Sequence, residues 1–530
     1  MSRPWPLIAA LAVVIVGPIA LRPSGEDRLL KGADTVVVIT PHNEAIRAEF
    51  GRGFREWYEK KTGRTVTVDF RTPGGTSENS RYVSGQYKAA FEDYWKKTLN
   101  QKWSKEVESG FVDSKIVPDD TPADDTPAVA ARRAFLESRV SSGMDVFFGG
   151  GSFDFSIIAG QGFLVDCGYV AAHPELFGKG KPIEPSVGGE AYYDEGGRWI
   201  GSAIGAFGIA YNRDRLATLG IEPPRRWADI SNPRFFRSLA LANPTQSSSA
   251  NKAFEMLIQQ QMNETGTDLA EGWRRGIRLL QRIGANSRYF SDSSAKISLD
   301  VESGEAAAGM TIDFYGRYQS ESVRRADGSS RIGYSDAQGG TSFGVDPIGL
   351  LRGAPHEKVA RAFIEYVMSD GQKLWTWRAG TPGGPKNHAL RRLPVLPSLY
   401  APEFRKFRSD PDVFPYVASK EFTYDPKRTG SLFGAIAFIV RVMCVDTHPE
   451  LTTAWNALID AKERTGSFPP AALAAFEDIG AVDYEIAKGR IKEAIAKDAP
   501  KIRQVQLAKE LSDTFRANYL KATQLAREAR

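Results

Sequence analysis

Between residue 34 and about residue 400, short runs of β-branched apolar residues alternate with stretches whose apolar residues recur every three or four positions. That alternation predicts strands followed by amphipathic helices, the sequence form of a sheet covered by helices. Residues 34–39 (DTVVVI) read as a buried strand. Thr40 then reads as an N-cap and Pro41 as the first helical residue. Ile46, Phe50, Phe54 and Trp57 mark one helix face, which Gly63 ends. Residues 65–70 form a second alternating strand, so the segment predicts a β-α-β unit and a parallel sheet.

A Gly-rich turn over residues 72–77 precedes an aromatic, lysine-bearing helix from residue 80 to about 109. Residues 118–127 (PDDTPADDTP) are acidic and Pro-rich and read as a surface loop. A helix over 128–140 leads to a strand at 145–148 and the loop Gly149-Gly150-Gly151-Ser152. Three strands thus end in loops of Gly, Thr, Ser or Asn, the place where open α/β sheets collect ligands. The Gly-punctuated stretch 199–211 (WIGSAIGAFGIAY) suits a crossover between lobes. A strand at 239–242, a loop at 243–249 and helices at 251–261 and 269–283 follow. Asp292 reads as the N-cap of the next helix, and a strand at 306–312 runs into Asp313-Phe314-Tyr315. A strand at 343–351 and a helix at 355–368 come next, and the tail from about 451 to 530 is helical and mixed in charge.

Composition narrows the function. Of 530 residues, 42% are apolar and 25% charged, which is globular and excludes a polytopic membrane protein. The charge of +5 is spread along the chain and does not point to nucleic acid. The two cysteines, Cys167 and Cys444, exclude a disulfide framework and a Cys-based zinc cluster, and leave a single pairing open. The five histidines form no HxxxH pair. No GxSxG elbow, HExxH helix or Walker A loop is present, which argues against an enzyme. Arg3 followed by an apolar run from about residue 7 to 21 has the size of a secretory signal, shorter than the roughly 17–25 residues of a membrane span. It predicts a periplasmic or extracytoplasmic protein, tethered to the inner membrane if the signal stays uncut.

In order along the chain, VVVITPHNEAIRAEFGRGFREW, DVFFGGG, GAFGIAYNRDRLATLG with RRWADI, LALANPTQSSSANKAFE, VESGEAAAGM and GTPGGPKNHALRRLPV resemble the extracellular solute-binding proteins of ABC importers, in the branch related to the ferric-ion-binding proteins. The resemblance covers about residues 34–400. It implies an α/β fold of two lobes with hinge crossovers, the periplasmic-binding-protein fold, plus a helical insertion and a helical C-terminal extension. The expected division is a signal peptide or membrane anchor at 1–33, lobe one at 34–205 with its insertion at about 78–135, and lobe two at 206–339. A return to lobe one and the hinge follows at 340–450, and the helical extension at 451–530. It also implies a non-enzymatic, monomeric receptor that hands a small solute to a membrane permease. The alternatives are a secreted enzyme on a small anionic substrate and a sensor that signals through the tail.

A cleft of this kind needs fixed dipoles and few charges, and helix N-termini behind Ser, Thr and Gly loops supply them. The candidate ligand residues are Thr40, His42 and Asn43 after the first strand, Thr72, Gly74, Gly75 and Thr76 after the second, and Gly150 and Gly151 after the third. Ser247, Ser248 and Ser249 face them from lobe two, with Asp313 and Tyr315 at the end of the small-residue strand. Ferric-binding relatives place a tyrosine pair at this strand end and a histidine elsewhere. Here the pair is Phe314-Tyr315, so one phenolate is missing. His42 and Tyr315 are the expected metal ligands if the transported solute is Fe(III), with Asp313 as a substitute oxygen donor. The other readings are a phosphorylated or carboxylated organic anion, and a polyamine with Asp313 as its ammonium partner. No cofactor is expected.

Overall fold

The computed structural model describes residues 32–119, 125–496 and 499–529. The apolar run expected to be a secretory signal, and residues 120–124 of the acidic loop, lie outside the described residues.

The β-branched strand Asp34–Ile39 lies parallel between Val66–Arg71 and Val146–Phe148. Its Val36, Val38 and Ile39 are fully buried, as a continuous apolar run requires of a strand covered on both faces. The sheet then continues antiparallel through Gly344–Leu351 and Ile200–Gly205 to Leu393–Pro394, with Leu164–Val165 beside Gly344–Leu351. The parallel expectation therefore holds for the first three strands only. Gly344–Leu351 and Leu393–Pro394 run opposite to them, Ile200–Gly205 runs with them between antiparallel neighbours, and Ile200–Gly205 and Gly344–Leu351 lie at the crossings to and from a second sheet. That second sheet has the order Ser287–Ser291, Leu239–Ala242, Ala308–Ile312, Phe207–Asn212, Ile332–Asp336.

Each sheet has its own apolar core. The stretch 199–211 is the first crossing between them: Ile200–Gly205 belongs to one sheet, Phe207–Asn212 to the other, and Ala206 alone separates them. The chain returns between Ile332–Asp336 and Gly344–Leu351. It crosses a third time after Ala418, which packs on the first core, and before Leu432, which belongs to the second.

This third crossing corrects the expected course of residues 340–450. Helix Phe433–Val440 and the π-helical turn Arg441–Val445 are not part of the return to lobe one; they sit in the second core with His448–Thr465, Pro470–Phe476 and Lys501–Glu528. The physical reason is composition: GAIAFIV is apolar on every face, and burying each large side chain contributes about 1.5–3 kcal/mol. Pro426–Val445 is long and apolar enough to cross a membrane, yet most of it is buried inside the protein as a core helix. Polar seams fix the extension. Trp273 Nε1 donates to the Val482 carbonyl at 2.9 Å, Trp455 Nε1 to Asn286 Oδ1 at 2.8 Å, and Gln281 Nε2 to the Phe476 carbonyl at 2.8 Å.

The insertion is likewise joined to its lobe. Helix Thr76–Lys97 starts earlier and ends sooner than the sequence indicates, and turns Tyr87 and Phe91 onto Phe135 of helix Pro127–Glu137. Arg132 closes this layer by donating to the carbonyls of Phe111, Gly160 and Gln161. Cys167 lies in the first core and Cys444 in the second, both as free thiols, so the two do not pair.

Candidate functional site

A cavity of about 450 Å³ lies between the lobes. Six helices turn their N-termini toward it. Glu44–Thr62, Thr76–Lys97 and Ser152–Gly160 come from lobe one, and Ser248–Glu264, Ser294–Ser303 and Asp313–Ser322 from lobe two. The cap of the first helix is Asn43, whose Oδ1 accepts from Ile46 N at 3.1 Å. Thr40 does not cap it: its Oγ1 accepts from the His42 amide at 3.1 Å and shapes the loop from beneath. Gly75 and Gly151 precede the next two helices with no side chain to offer, so the first-turn amides there keep no side-chain cap. The approach is close. Gly150 has φ +125°, and a Cβ on it would lie 2.4 Å from Thr76 Cγ2.

On the opposite lobe, Ser247 Oγ accepts from Ala250 N at 3.2 Å, while Ser293, not Asp292, stands at the cap of its helix and makes no capping bond. Asp292 instead accepts from Asn243 Nδ2 at 3.4 Å. The two rims touch. Ser77 Oγ and Ser248 Oγ are 2.8 Å apart, and the rings of Phe153 and Phe433 lie 4.7 Å apart, so the jaws are closed.

Of the residues singled out in the sequence, His42, Asn43, Gly74, Gly75, Thr76, Gly150, Gly151, Ser247, Ser248, Ser249 and Tyr315 line the cavity. Three do not. Thr40 is buried behind the loop, Thr72 is exposed on the outer surface, and Asp313 is buried at the hinge. The lining also holds charged residues that the sequence reading missed, and these are largely self-neutralised. Lys252 Nζ lies 3.1 Å from Glu190, 3.3 Å from Glu255 and over the Tyr424 ring. Burial works against the lysine charge, but the two glutamates outweigh it and raise its pKa. Asp346 pairs with Arg392 Nη2 at 2.7 Å. Burial again opposes this charge, and the Arg392 guanidinium overcomes it and holds the carboxyl below its ordinary range. What remains open to a solute is a set of amide dipoles and hydroxyls, which favours an anion.

Asp154 and Asp292 are exceptions, lining the cavity with no ion pair among the described residues. At Asp154, burial, helped by Glu78, pushes the carboxyl up to about 6. It therefore repels an anion above that pH. Asp154→Asn is expected to tighten binding of a sulfonate, whose charge is fixed, by roughly fivefold at pH 8 and to leave it unchanged at pH 5. Paired calorimetric titrations check this.

At the hinge, Asp313 Oδ1 accepts from the Phe314 amide at 2.8 Å, while Oδ2 has no hydrogen-bond partner among the described residues and Arg317 Nε lies 3.9 Å away. Burial pushes this carboxyl up to about 7. The folded protein thus holds a proton that the unfolded chain, near pKa 3.9, has released. The associated stability is full below the unfolded pKa and disappears as pH rises through about 7. Stability should fall by roughly 1 kcal/mol from pH 6 to pH 8 on this account. Asp313→Asn should flatten that slope in chemical denaturation.

Of the expected ferric ligands, His42 and Tyr315 both line the cavity, and Asp313 lies outside its lining. Among the described residues no group of three His, Cys, Asp or Glu side chains is placed to hold a metal ion. Burial raises the Tyr315 phenol above its ordinary value, which disfavours the phenolate that Fe(III) needs.

Two α/β lobes thus close on a dipole-lined cavity. Residues 163–394 match the family described as bacterial extracellular solute-binding protein. Among curated proteins, the phosphoglycerate transport regulatory protein PgtC of Salmonella typhimurium is 28% identical over 178 residues, 33% of this chain and 40% of that protein. The match thus spans about two-fifths of the relative's length. Among solved structures, the periplasmic binding protein AfuA from Actinobacillus pleuropneumoniae, with fructose-6-phosphate bound, aligns with TM-score 0.47 and 16% identity over 77% of this chain and 98% of that one. Iron-bound HitA from Pseudomonas aeruginosa aligns with TM-score 0.44 and 15% identity over 76% and 98%.

Proposed function

We propose that the protein captures a small phosphorylated or carboxylated organic anion between its lobes, outside the cytoplasm, and delivers it to an ABC permease without chemical turnover. The observation that carries this reading is the convergence of six helix N-termini on one closed cavity. A partial charge of about +0.5 at each helix start, together with unbonded amides, binds oxyanions with little reorganisation. The relative named for phosphoglycerate transport supports the same class of solute. Binding favours the closed state by as much as the solute prefers it over the open one.

A thermal-shift panel tests the reading. 3-Phosphoglycerate, phosphoenolpyruvate, inorganic phosphate, citrate, ferric citrate and spermidine are each offered to the full chain. A phosphorylated or carboxylated member should raise the Tm in a concentration-dependent way. A rise with ferric citrate but not with citrate itself, or with spermidine alone, contradicts it.

A second reading, a ligand sensor, is favoured by one feature. The C-terminal helices share the second core, so they move as one body with that lobe when the cleft closes. Crosslinking from helix Lys501–Glu528 in membranes separates the two: a permease partner supports delivery, a membrane kinase supports sensing.

A further inference from the structure

The imidazole of His42 is almost completely buried at the cavity floor, edge-on to Phe148 at 4.6 Å and beside Trp375 at 5.7 Å. Its Nε2 faces Nη1 of Arg392 at 3.2 Å. A guanidinium carries donors and no acceptor, so in this contact Nε2 receives the hydrogen bond and the ring proton resides on Nδ1. Asp346 cannot reverse the assignment. Its Oδ2 lies 3.9 Å from His42 Nε2, beyond hydrogen-bond range, and 2.7 Å from Arg392 Nη2. Nδ1 itself is buried and has no partner among the described residues.

Arg392 is in turn held in place. Its guanidinium lies 4.1 Å from the Phe314 ring centroid and 5.2 Å from that of Trp375, and its side chain is fully buried. Phe314 stands where a phenol would complete a tyrosine pair, and it supplies the face on which the guanidinium rests. A metal ion needs a bare imidazole nitrogen. Here one nitrogen is occupied by a cationic donor and the other carries the proton. A guanidinium at this distance also repels a trivalent cation through a medium of low dielectric.

We propose that Arg392 is a specificity-determining positioning residue: by donating to Nε2 it locks His42 in the Nδ1–H tautomer and denies the cleft floor to metal ions. The assignment rests on the cleft being the solute site and adds what that site rejects.

The test is the ¹H–¹⁵N long-range spectrum of the histidine rings in the full chain, with His42 identified by loss of its signals in His42→Gln. The native protein should show protonated Nδ1 and bare Nε2 for His42, unchanged by excess gallium(III) citrate, a diamagnetic stand-in for ferric citrate. Arg392→Lys, which keeps a donor, should retain that pattern. The double variant Arg392→Met, Asp346→Asn removes both charges at similar volume. In it the ring should lose the fixed tautomer, and its signals should move with gallium. An Nε2–H pattern in the native protein, or native His42 signals that shift with gallium, overturns the proposal without need of any variant. A double variant whose ring stays locked and indifferent to gallium overturns the role of Arg392. Anion titration on the same samples separates the readings. Anion binding alongside a gallium-responsive native His42 sinks this inference alone, and a locked tautomer without any anion binding sinks the anion reading alone.

Discussion

Replacing Gly150 by valine is expected to abolish solute capture, lowering affinity by about 100-fold or more, equivalent to roughly 3 kcal/mol. Gly150 has φ +125°, a conformation that L-residues with a side chain rarely adopt, and its Cβ would stand 2.4 Å from Thr76 Cγ2. Thr76 opens the helix Thr76–Lys97, and the next residue, Ser77, meets Ser248 across the cleft at 2.8 Å. Relief of the clash must therefore displace either the Gly149–Gly151 loop or the start of that helix. Both carry amides that face the cavity, and Ser77 is a point of contact between the jaws. The backbone strain costs of order 1–3 kcal/mol, so the variant should still fold with a lowered Tm. Calorimetric titration beside a denaturation curve distinguishes lost binding from lost folding. Affinity within threefold of the native value would remove the Gly150 loop from the site.

The second large effect is on stability. Arg392→Ala should destabilise the protein by about 2–4 kcal/mol, because it leaves the half-buried Asp346 carboxylate without its counter-charge. It also strips the cation from the faces of Phe314 and Trp375. The double change Arg392→Met, Asp346→Asn should recover most of that loss, since removing both partners at similar volume costs far less than stranding one. Denaturant unfolding of the native protein and both variants closes the cycle. A single variant as stable as the native protein would show that the pair makes no net contribution.

Much of this architecture was legible from pattern alone. The β-branched run at 34–39, the Gly-punctuated 199–211 and the loops ahead of Gly75, Gly151 and Ser247 each have a local cause, so periodicity and turn chemistry find them. The misses are long-range. Lys252 lies one turn inside a helix and reads as a solvated face, yet it meets Glu190 from the other lobe. Asp346 sits in the otherwise apolar FGVDPIGLL. A lone carboxylate in a buried strand demands a cation, and that signal could have directed attention to Arg391-Arg392. GAIAFIV likewise announced a core helix, but nothing local says whose core it fills. The expected cap at Thr40 gave way to Asn43 because the Thr40 hydroxyl is taken by the His42 amide. The ferric expectation for His42 could not be judged from spacing, since it turns on a guanidinium 350 positions away in the chain.

Whether the jaws close on a small oxyanion is tested by calorimetric titration of 3-phosphoglycerate into the full chain, with Gly150→Val beside it. The native protein should bind saturably at one to one, and the variant should lose that binding. Native protein silent toward 3-phosphoglycerate while ferric citrate, but not citrate, saturates it one-to-one would contradict closure on an oxyanion, as would a variant that binds 3-phosphoglycerate as tightly as the native chain.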